Sequence, residues 1–266
     1  MKDGISDNAK ISRLEFATDK GAGARARIGL LVLESDQTME WEMRLMTHLP
    51  GVSVYHARLA NDAVVTPESL ARMEAEIPVA AGLLPDYLHL DAVGYGCTSG
   101  STIIGEDRVA DIIQAQHPDV AVSNPLTAAK AALQVLGVKR LGLVTPYTPD
   151  VTQAMQARFE AAGIAIITVG SFYADSDAVV GRINPASILQ ATIDVGSSDA
   201  VDGVFISCTS LRAAGIIAEA EAKLGKPVTA SNHALAWHLL RLAGIDDSVE
   251  GFGALFKMPL FADQHT

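Results

Sequence analysis

The sequence predicts an α/β protein built from two similar halves, and three observations lead there. Short runs rich in Val, Leu and Ile alternate with helix-length segments, the pattern of parallel sheets covered on both faces. The stretch DAVGYGCTSG at 91–100 returns as DGVFISCTSL at 202–211, so that Cys97 and Cys208, the only two cysteines, stand 111 residues apart. Gly29 and Gly142, which open GLLVLES and GLVTPYT, keep nearly the same step of 113 residues. Each half thus places one thiol after a buried strand. The doubling predicts two sheets, one per half, related by a pseudo-twofold and facing each other across a cleft.

The elements follow in order. Residues 26–34 (ARIGLLVLE) form an apolar run of strand length, followed by the polar turn Ser35-Asp36-Gln37-Thr38. Residues 39–49 have helical spacing, with Trp41, Leu45 and Leu49 on one face. A short strand at 52–58 precedes Thr66, which with Pro67 at the first helical position caps a helix over Leu70, Met73 and Ile77. Residues 87–95 form the strand that delivers Cys97, 107–116 a helix, and 120–123 a strand ending at Asn124-Pro125.

The second cycle begins with a helix over 126–136, closed by Gly137. Strand 140–145, helix 150–162, strand 164–169 and helix 187–193 lead to strand 203–207, which delivers Cys208. A helix over 211–224 ended by Gly225, a short strand at 227–229 and a closing helix over 232–242 complete the pattern.

The chain has 266 residues, 49% of them apolar and 19% charged, enough to bury one large or two modest cores. A net charge of −11 argues against nucleic acid and anionic membranes as partners. No apolar run approaches the length of a membrane span, and the polar N-terminus has no secretory h-region. Residues 1–25 read as a polar arm, the two cysteines as reduced thiols, and the cytoplasm as the default compartment. The seven histidines show no metal-ligand spacing, GAGARAR precedes a strand rather than following one, and no Walker sequence occurs. No metal and no cofactor is expected.

Both cysteines fall at the carboxyl ends of parallel strands, where ligands collect. Thr98, Ser99 and Gly100, like Thr209 and Ser210, offer hydroxyls and backbone N–H groups that can cradle a carboxylate. The same field, strengthened by a following helix, is expected to favour thiolate over thiol. Two opposed thiols suit removal and return of a proton alpha to a carboxylate, or addition to a carbon–carbon double bond followed by rotation and departure. The plainer reading is a pair of small buried core residues. The matched Cys-Thr-Ser repeat weighs against it.

On RIGLLVLESDQTME (27–40), GYGCTSG (94–100), LGVKRLGLVTPYTPDV (136–151), SDAVVGRI (176–183) and FISCTS (205–210), the chain resembles the aspartate/glutamate racemase superfamily, in its maleate isomerase and arylmalonate decarboxylase branch. The resemblance covers about residues 26–245. It implies two Rossmann-like, doubly wound domains: 26–124 completed by 231–266, and 125–230. It also implies a homodimer or higher homo-oligomer and a small carboxylate substrate. Cys97 matches the first-half nucleophile or base and Cys208 the second-half acid/base. Tyr147 matches a tyrosine that hydrogen-bonds the substrate carboxylate, and Thr98, Ser99 and Thr209 match the carboxylate-holding turns, beside Ser210.

Both cysteines being present argues against a strict arylmalonate decarboxylase, which keeps only the second. Maleate isomerases carry asparagine at the position of Asp36 and near Asp177. A carboxylate there repels a dicarboxylate and pairs with an ammonium or amidinium group. The chain also resembles the EutA proteins of ectoine utilisation, whose substrate class carries both a carboxylate and an amidinium. The expected activity is therefore a cofactor-independent racemase or isomerase of an amino-acid-like or ectoine-related carboxylate. Maleate cis–trans isomerisation, decarboxylation and non-catalytic ligand binding are the competing readings. Asp36 has a simpler role available as a cap of the following helix.

Overall fold

A computed structural model describes residues 11–260 apart from 63, 65 and 175; residues 1–10 of the polar arm and 261–266 lie outside it. One sheet is built from β1 (Ala26–Leu33), β2 (Val52–Leu59), β3 (Ala92–Gly96) and β4 (Ala121–Ser123). The other is built from β5 (Arg140–Thr145), β6 (Ala165–Ser171), β7 (Gly203–Ile206) and β8 (Val228–Ala230). Every strand pair in them is parallel, and the orders correspond, β2-β1-β3-β4 and β6-β5-β7-β8. The repeat in sequence is thus a repeat in topology.

The helices are α1 (Met39–Thr47), α2 (Pro67–Arg72), α3 (Ile77–Ala81), α4 (Thr98–Ile104), α5 (Glu106–Gln116), α6 (Pro125–Val135), α7 (Pro149–Ala161), α8 (Asp177–Val180), α9 (Pro185–Gly196), α10 (Ile217–Leu224) and α11 (Ser231–Leu242). Local chemistry sets several of their ends. The Thr66 side chain accepts from the Ser69 N–H while the Ser69 hydroxyl accepts from the Thr66 N–H, a reciprocal box that starts α2. Asn124 Oδ1 accepts from the N–H groups of Leu126 and Thr127 at 3.1 and 3.0 Å, which starts α6. Among the described residues no helix is long and apolar enough to cross a membrane.

α11 packs back onto the first sheet, although it follows the last strand of the second. Leu235, Trp237 and Leu239 of this helix join Ile28, Leu30 and Val32 of β1 and Met39, Met43 and Met46 of α1 in one buried cluster. Each such side chain contributes roughly 1.5–3 kcal/mol of burial. A Cβ on Gly94 would stand 2.7 Å from Leu239 Cδ1, so only glycine lets the helix lie this close to β3. The Arg241 guanidinium, buried near the end of α11, donates to the carbonyls of Ile245, Asp247, Phe256 and Met258 and so ties down the chain beyond the helix.

Several expectations need correction. Trp41 and Leu45 face outward on α1 at 46% and 42% exposure, whereas Met39, Glu42, Met43 and Met46 face the core. The apolar stripe continues across Met, and a buried glutamate breaks the pattern that periodicity seeks. Residues 86–88 form a 3₁₀ turn, and the strand that reaches Cys97 begins only at Ala92. The helix after Thr66 stops at Arg72, because Pro78 supplies no N–H to a continuous helix and a separate α3 forms around it. The helix expected from 211 begins as a 3₁₀ turn at Ala214 and becomes α10 at Ile217. The helix expected after the Cys97 turn starts at once, as α4, rather than at 107: its Thr-Ser-Gly-Ser-Thr opening has poor helix propensity, and a cap from Cys97 supports it.

Candidate active site

Residues that follow β1, β2, β3, β5, β6 and β7 converge on one cavity between the sheets, at the carboxyl ends of the strands. Cys97, Thr98 and Ser99 line it from one side and Tyr147, Asp177, Cys208 and Thr209 from the other, with Leu33, Asn61, Leu70 and Met73 completing the wall. Val64, after β2, makes an antiparallel bridge with Ser176, after β6, and so joins the two halves at the cavity. The space in it available to the centre of a water molecule is ≈ 20 Å³, room for about one water.

Cys97 takes its position from α4. Its backbone is extended, with φ −147°, and its Sγ accepts from the Gly100 N–H at 3.2 Å, with Ser99 Oγ at 3.5 Å. Cys208 is held differently. Its φ is +115°, a strained value for any residue with a Cβ, and no helix follows directly. The strain is sustained by contacts from elsewhere in the chain. Ser231 Oγ, at the start of α11, accepts from the Cys208 N–H at 2.9 Å and lies 2.7 Å from Thr98 Oγ1, linking the two cysteine turns through one hydroxyl. Asn232 donates to Thr209 O at 2.7 Å, and the buried Glu42 accepts from the Ala214 N–H and from Asn232, each at 2.8 Å.

The electrostatics overturn the expected thiolate. Burial pushes the Cys97 thiol up to about 11, against the donors Ser99 and Gly100, with Asp177 and Asp36 adding repulsion. Burial pushes Cys208 up as well, followed by repulsion from Asp177. Among the described residues the lining contains no cationic side chain to offset this. The turns alone cannot ionise a wholly buried sulfur; an internal proton transfer or charge brought by a ligand must do so. Burial likewise holds Tyr147, beside Ser207 and Cys208, well above the usual phenol range.

Seven of the sequence-predicted site residues line the cavity: Cys97, Thr98, Ser99, Tyr147, Asp177, Cys208 and Thr209. Asp36 and Ser210 lie behind the wall. Asp36 Oδ1 accepts from the N–H groups of Thr38 and Met39 at 2.7 Å each, the capping role, while its buried Oδ2 has no partner among the described residues. Burial raises its carboxyl above the usual range. Ser210 Oγ donates to Asp177 Oδ1 at 3.2 Å, and Ser35 Oγ donates to Asp177 Oδ2.

Sequence reasoning missed Asn61, Ser231, Asn232 and Glu42. Asn61, which donates to Ser35 Oγ at 2.9 Å, opens NDAVV at 61–65, the counterpart of SDAVV at 176–180, so the half-repeat carried that signal and pairs Asp62, also in the lining, with Asp177. Asn232 reads as the cap of a packed terminal helix, and nothing local marks Glu42 as reaching Ala214, 172 residues away along the chain, or Ser231 as reaching Cys208, 23 residues away.

A family model described as arylmalonate decarboxylase matches residues 115–256. The maleate isomerase of Nocardia farcinica is 30% identical over 241 residues, covering 87% of this chain and 95% of that protein. The maleate isomerase of Pseudomonas putida is 28% identical over 245 residues, covering 87% and 97%. A cysteine-to-serine mutant of the Nocardia farcinica maleate cis–trans isomerase, solved with a covalently bound succinylcysteine intermediate, superposes with a TM-score of 0.79 at 26% identity, over 87% of this chain and 98% of that one. The two four-stranded α/β sheets described above are the fold of that enzyme.

Proposed function

This chain belongs to the arylmalonate decarboxylase family, and from that premise we propose that it is a cofactor-independent cis–trans isomerase of a small unsaturated carboxylate of the maleate class. One observation carries the reading: two buried thiols from topologically equivalent strands share one cavity with two hydroxyl-bearing turns. The similarity to two maleate isomerases over nearly their full length supports it.

The chemistry runs through this chain's own residues. Thr98, Ser99 and Thr209 offer donors to the carboxylates, and Tyr147 donates its phenol hydrogen to one of them. Cys97, its proton passed to a substrate carboxylate, adds as thiolate to one alkene carbon, and the alkene electron pair moves to the adjacent carbon, where the carboxylate attached there delocalises it. The former double bond is now single and rotates. Return of the electron pair re-forms the double bond in the trans geometry and expels Cys97 as thiolate. Cys208, facing the carbanion from the other half, can lend its proton to that carbon and take it back. The same reading makes the two halves, 26–124 with 231–266 and 125–230, one catalytic unit in a cytoplasmic homo-oligomer.

A second reading rests on charge. Asp177 lines the cavity, and Asp36 keeps a buried, unpartnered oxygen behind it. Two such carboxyls favour a substrate that carries a cation beside its carboxylate, as amino-acid-like and ectoine-related compounds do. On that substrate the two thiols act as a two-base racemase, one removing the alpha proton and the other supplying its replacement. The resemblance to EutA proteins leans the same way.

The test is proton NMR in deuterium oxide with the wild type, Cys97→Ser and Cys208→Ser, over maleate, aspartate, glutamate, ectoine and its ring-opened amino acids. Conversion of maleate to fumarate, lost in Cys97→Ser, is the expected result. Thiol-dependent alpha-proton exchange in a cationic carboxylate, with maleate untouched, replaces the first reading by the second. Inertness toward all of them, with no covalent adduct by intact mass, overturns both.

A further inference from the structure

One buried polar group beside the reacting sulfur has no part in the chemistry above. Tyr95 lies on β3, two residues before Cys97, and is fully buried. It does not line the cavity, so its hydroxyl cannot reach a substrate there. Among the described residues that hydroxyl has no hydrogen-bond partner. Burial, and after it the charge of Cys97, holds the phenol well above its usual range. Gly100 opens the space between them: a Cβ there would stand 2.4 Å from Tyr95 Oη and 3.0 Å from Cys97 Sγ.

A buried O–H without an acceptor is a cost that phenylalanine would avoid. The cost has a use if the acceptor arrives during the reaction. A thiol sulfur is a weak acceptor, whereas a thiolate is a strong one, and a hydrogen bond to a charged group is about twice as strong as a neutral one. We propose that Tyr95 is a positioning residue for Cys97, donating its hydroxyl hydrogen to the sulfur only while the sulfur is negatively charged. The Gly100 N–H, the Ser99 hydroxyl and the Tyr95 hydroxyl then surround one sulfur with three donors.

The donor on the other side is not equivalent. Tyr147 approaches Cys208 but also lines the cavity, so it is shared with the substrate. Tyr95 serves the sulfur alone. It therefore biases ionisation toward Cys97 and leaves Cys208 to hold its proton. No bond to carbon is made or broken by Tyr95, and its own proton stays on oxygen throughout.

The inference rests on the reading of Cys97 as the thiolate-forming cysteine, but its test does not require turnover. In a Cys208→Ser background the rate of alkylation of Cys97 by iodoacetamide reports the thiolate fraction. Tyr95→Phe is expected to lower that rate about tenfold at pH 8, displacing its pH profile upward by about one unit. Replacing Tyr95 by a ring-fluorinated tyrosine, a stronger donor of the same shape, is expected to displace the profile downward. In a Cys97→Ser background, where Cys208 alone reacts, Tyr95→Phe is expected to change nothing. An unchanged Cys97 profile in both Tyr95 variants, or equal displacement at Cys208, overturns the proposal. If Tyr95→Phe does not fold, the fluorinated protein decides by the direction of its shift. A thiol bias without isomerase activity leaves this inference standing and removes the proposed function instead.

Discussion

Cys97-Thr98-Ser99 and Cys208-Thr209-Ser210 are the same tripeptide at the ends of equivalent strands, yet their backbones part at the first residue. Cys97 has an ordinary extended conformation and enters a helix whose Gly100 N–H turns back to its sulfur. Cys208 is forced to φ +115° and enters a helix-free stretch held by Glu42, Ser231 and Asn232. The first turn is built by its own next three residues. The second is built by α1 and α11, from the opposite half of the molecule. A repeat that duplicates a motif does not duplicate its environment, and environment is what sets a thiol's ionisation, reach and rigidity.

The largest test of this asymmetry falls on charge. Asp177 hydrogen-bonds the Cys208 turn through Ser210 and is the first repulsive charge acting on Cys208. Asp177→Asn is expected to lower the Cys208 alkylation profile more than that of Cys97. It is also expected to improve kcat/KM for a dianionic substrate about tenfold by removing one repulsion at close range. Thiol profiles and kinetics on maleate check both; equal shifts at the two cysteines break the comparison.

A smaller effect belongs to the tie that only the second turn has. Glu42→Ala leaves the Ala214 N–H and the Asn232 amide without their acceptor, an expected loss of about 2–3 kcal/mol in urea unfolding. Glu42→Gln probes the charge. Burial raises the Glu42 carboxyl to about 7 from its ordinary 4.5, so the folded protein holds a proton that the unfolded chain releases across that window. The Glu42 contribution to stability is present below pH 4.5 and is lost as pH rises to 7, by roughly 3 kcal/mol. Subtracting the pH profile of Glu42→Gln from that of the wild type should recover this slope.

The smallest test reads the backbone itself. Glycine ordinarily costs about 1 kcal/mol against alanine, and Cys97→Gly is expected to show that deficit relative to Cys97→Ala. At the positive φ of Cys208 glycine carries no Cβ penalty, so Cys208→Gly is expected to be at least as stable as Cys208→Ala. Thermal unfolding of the four variants measures the contrast directly.

The sequence by itself determined the two-sheet α/β class, the equivalence of the halves and the pair of cysteines with their hydroxyl-bearing turns. Those properties are written in local pattern: apolar runs of strand length, caps such as Thr66 and Asn124, and a tripeptide repeated at a constant step. Tyr147 and Asp177 were legible only through resemblance, since neither spacing nor composition marks them. Tertiary structure alone decided that Asp36 caps a helix behind the cavity wall and that Trp41 faces outward. It decided as well that both thiols are pushed up rather than down and that the Cys208 turn is held from 172 residues away, by the Thr38 hydroxyl on the Ser210 carbonyl. The physical reason is the same in each case. Desolvation, hydrogen-bond satisfaction and backbone strain depend on which distant groups arrive at a point in space, and no window of neighbouring residues contains that information.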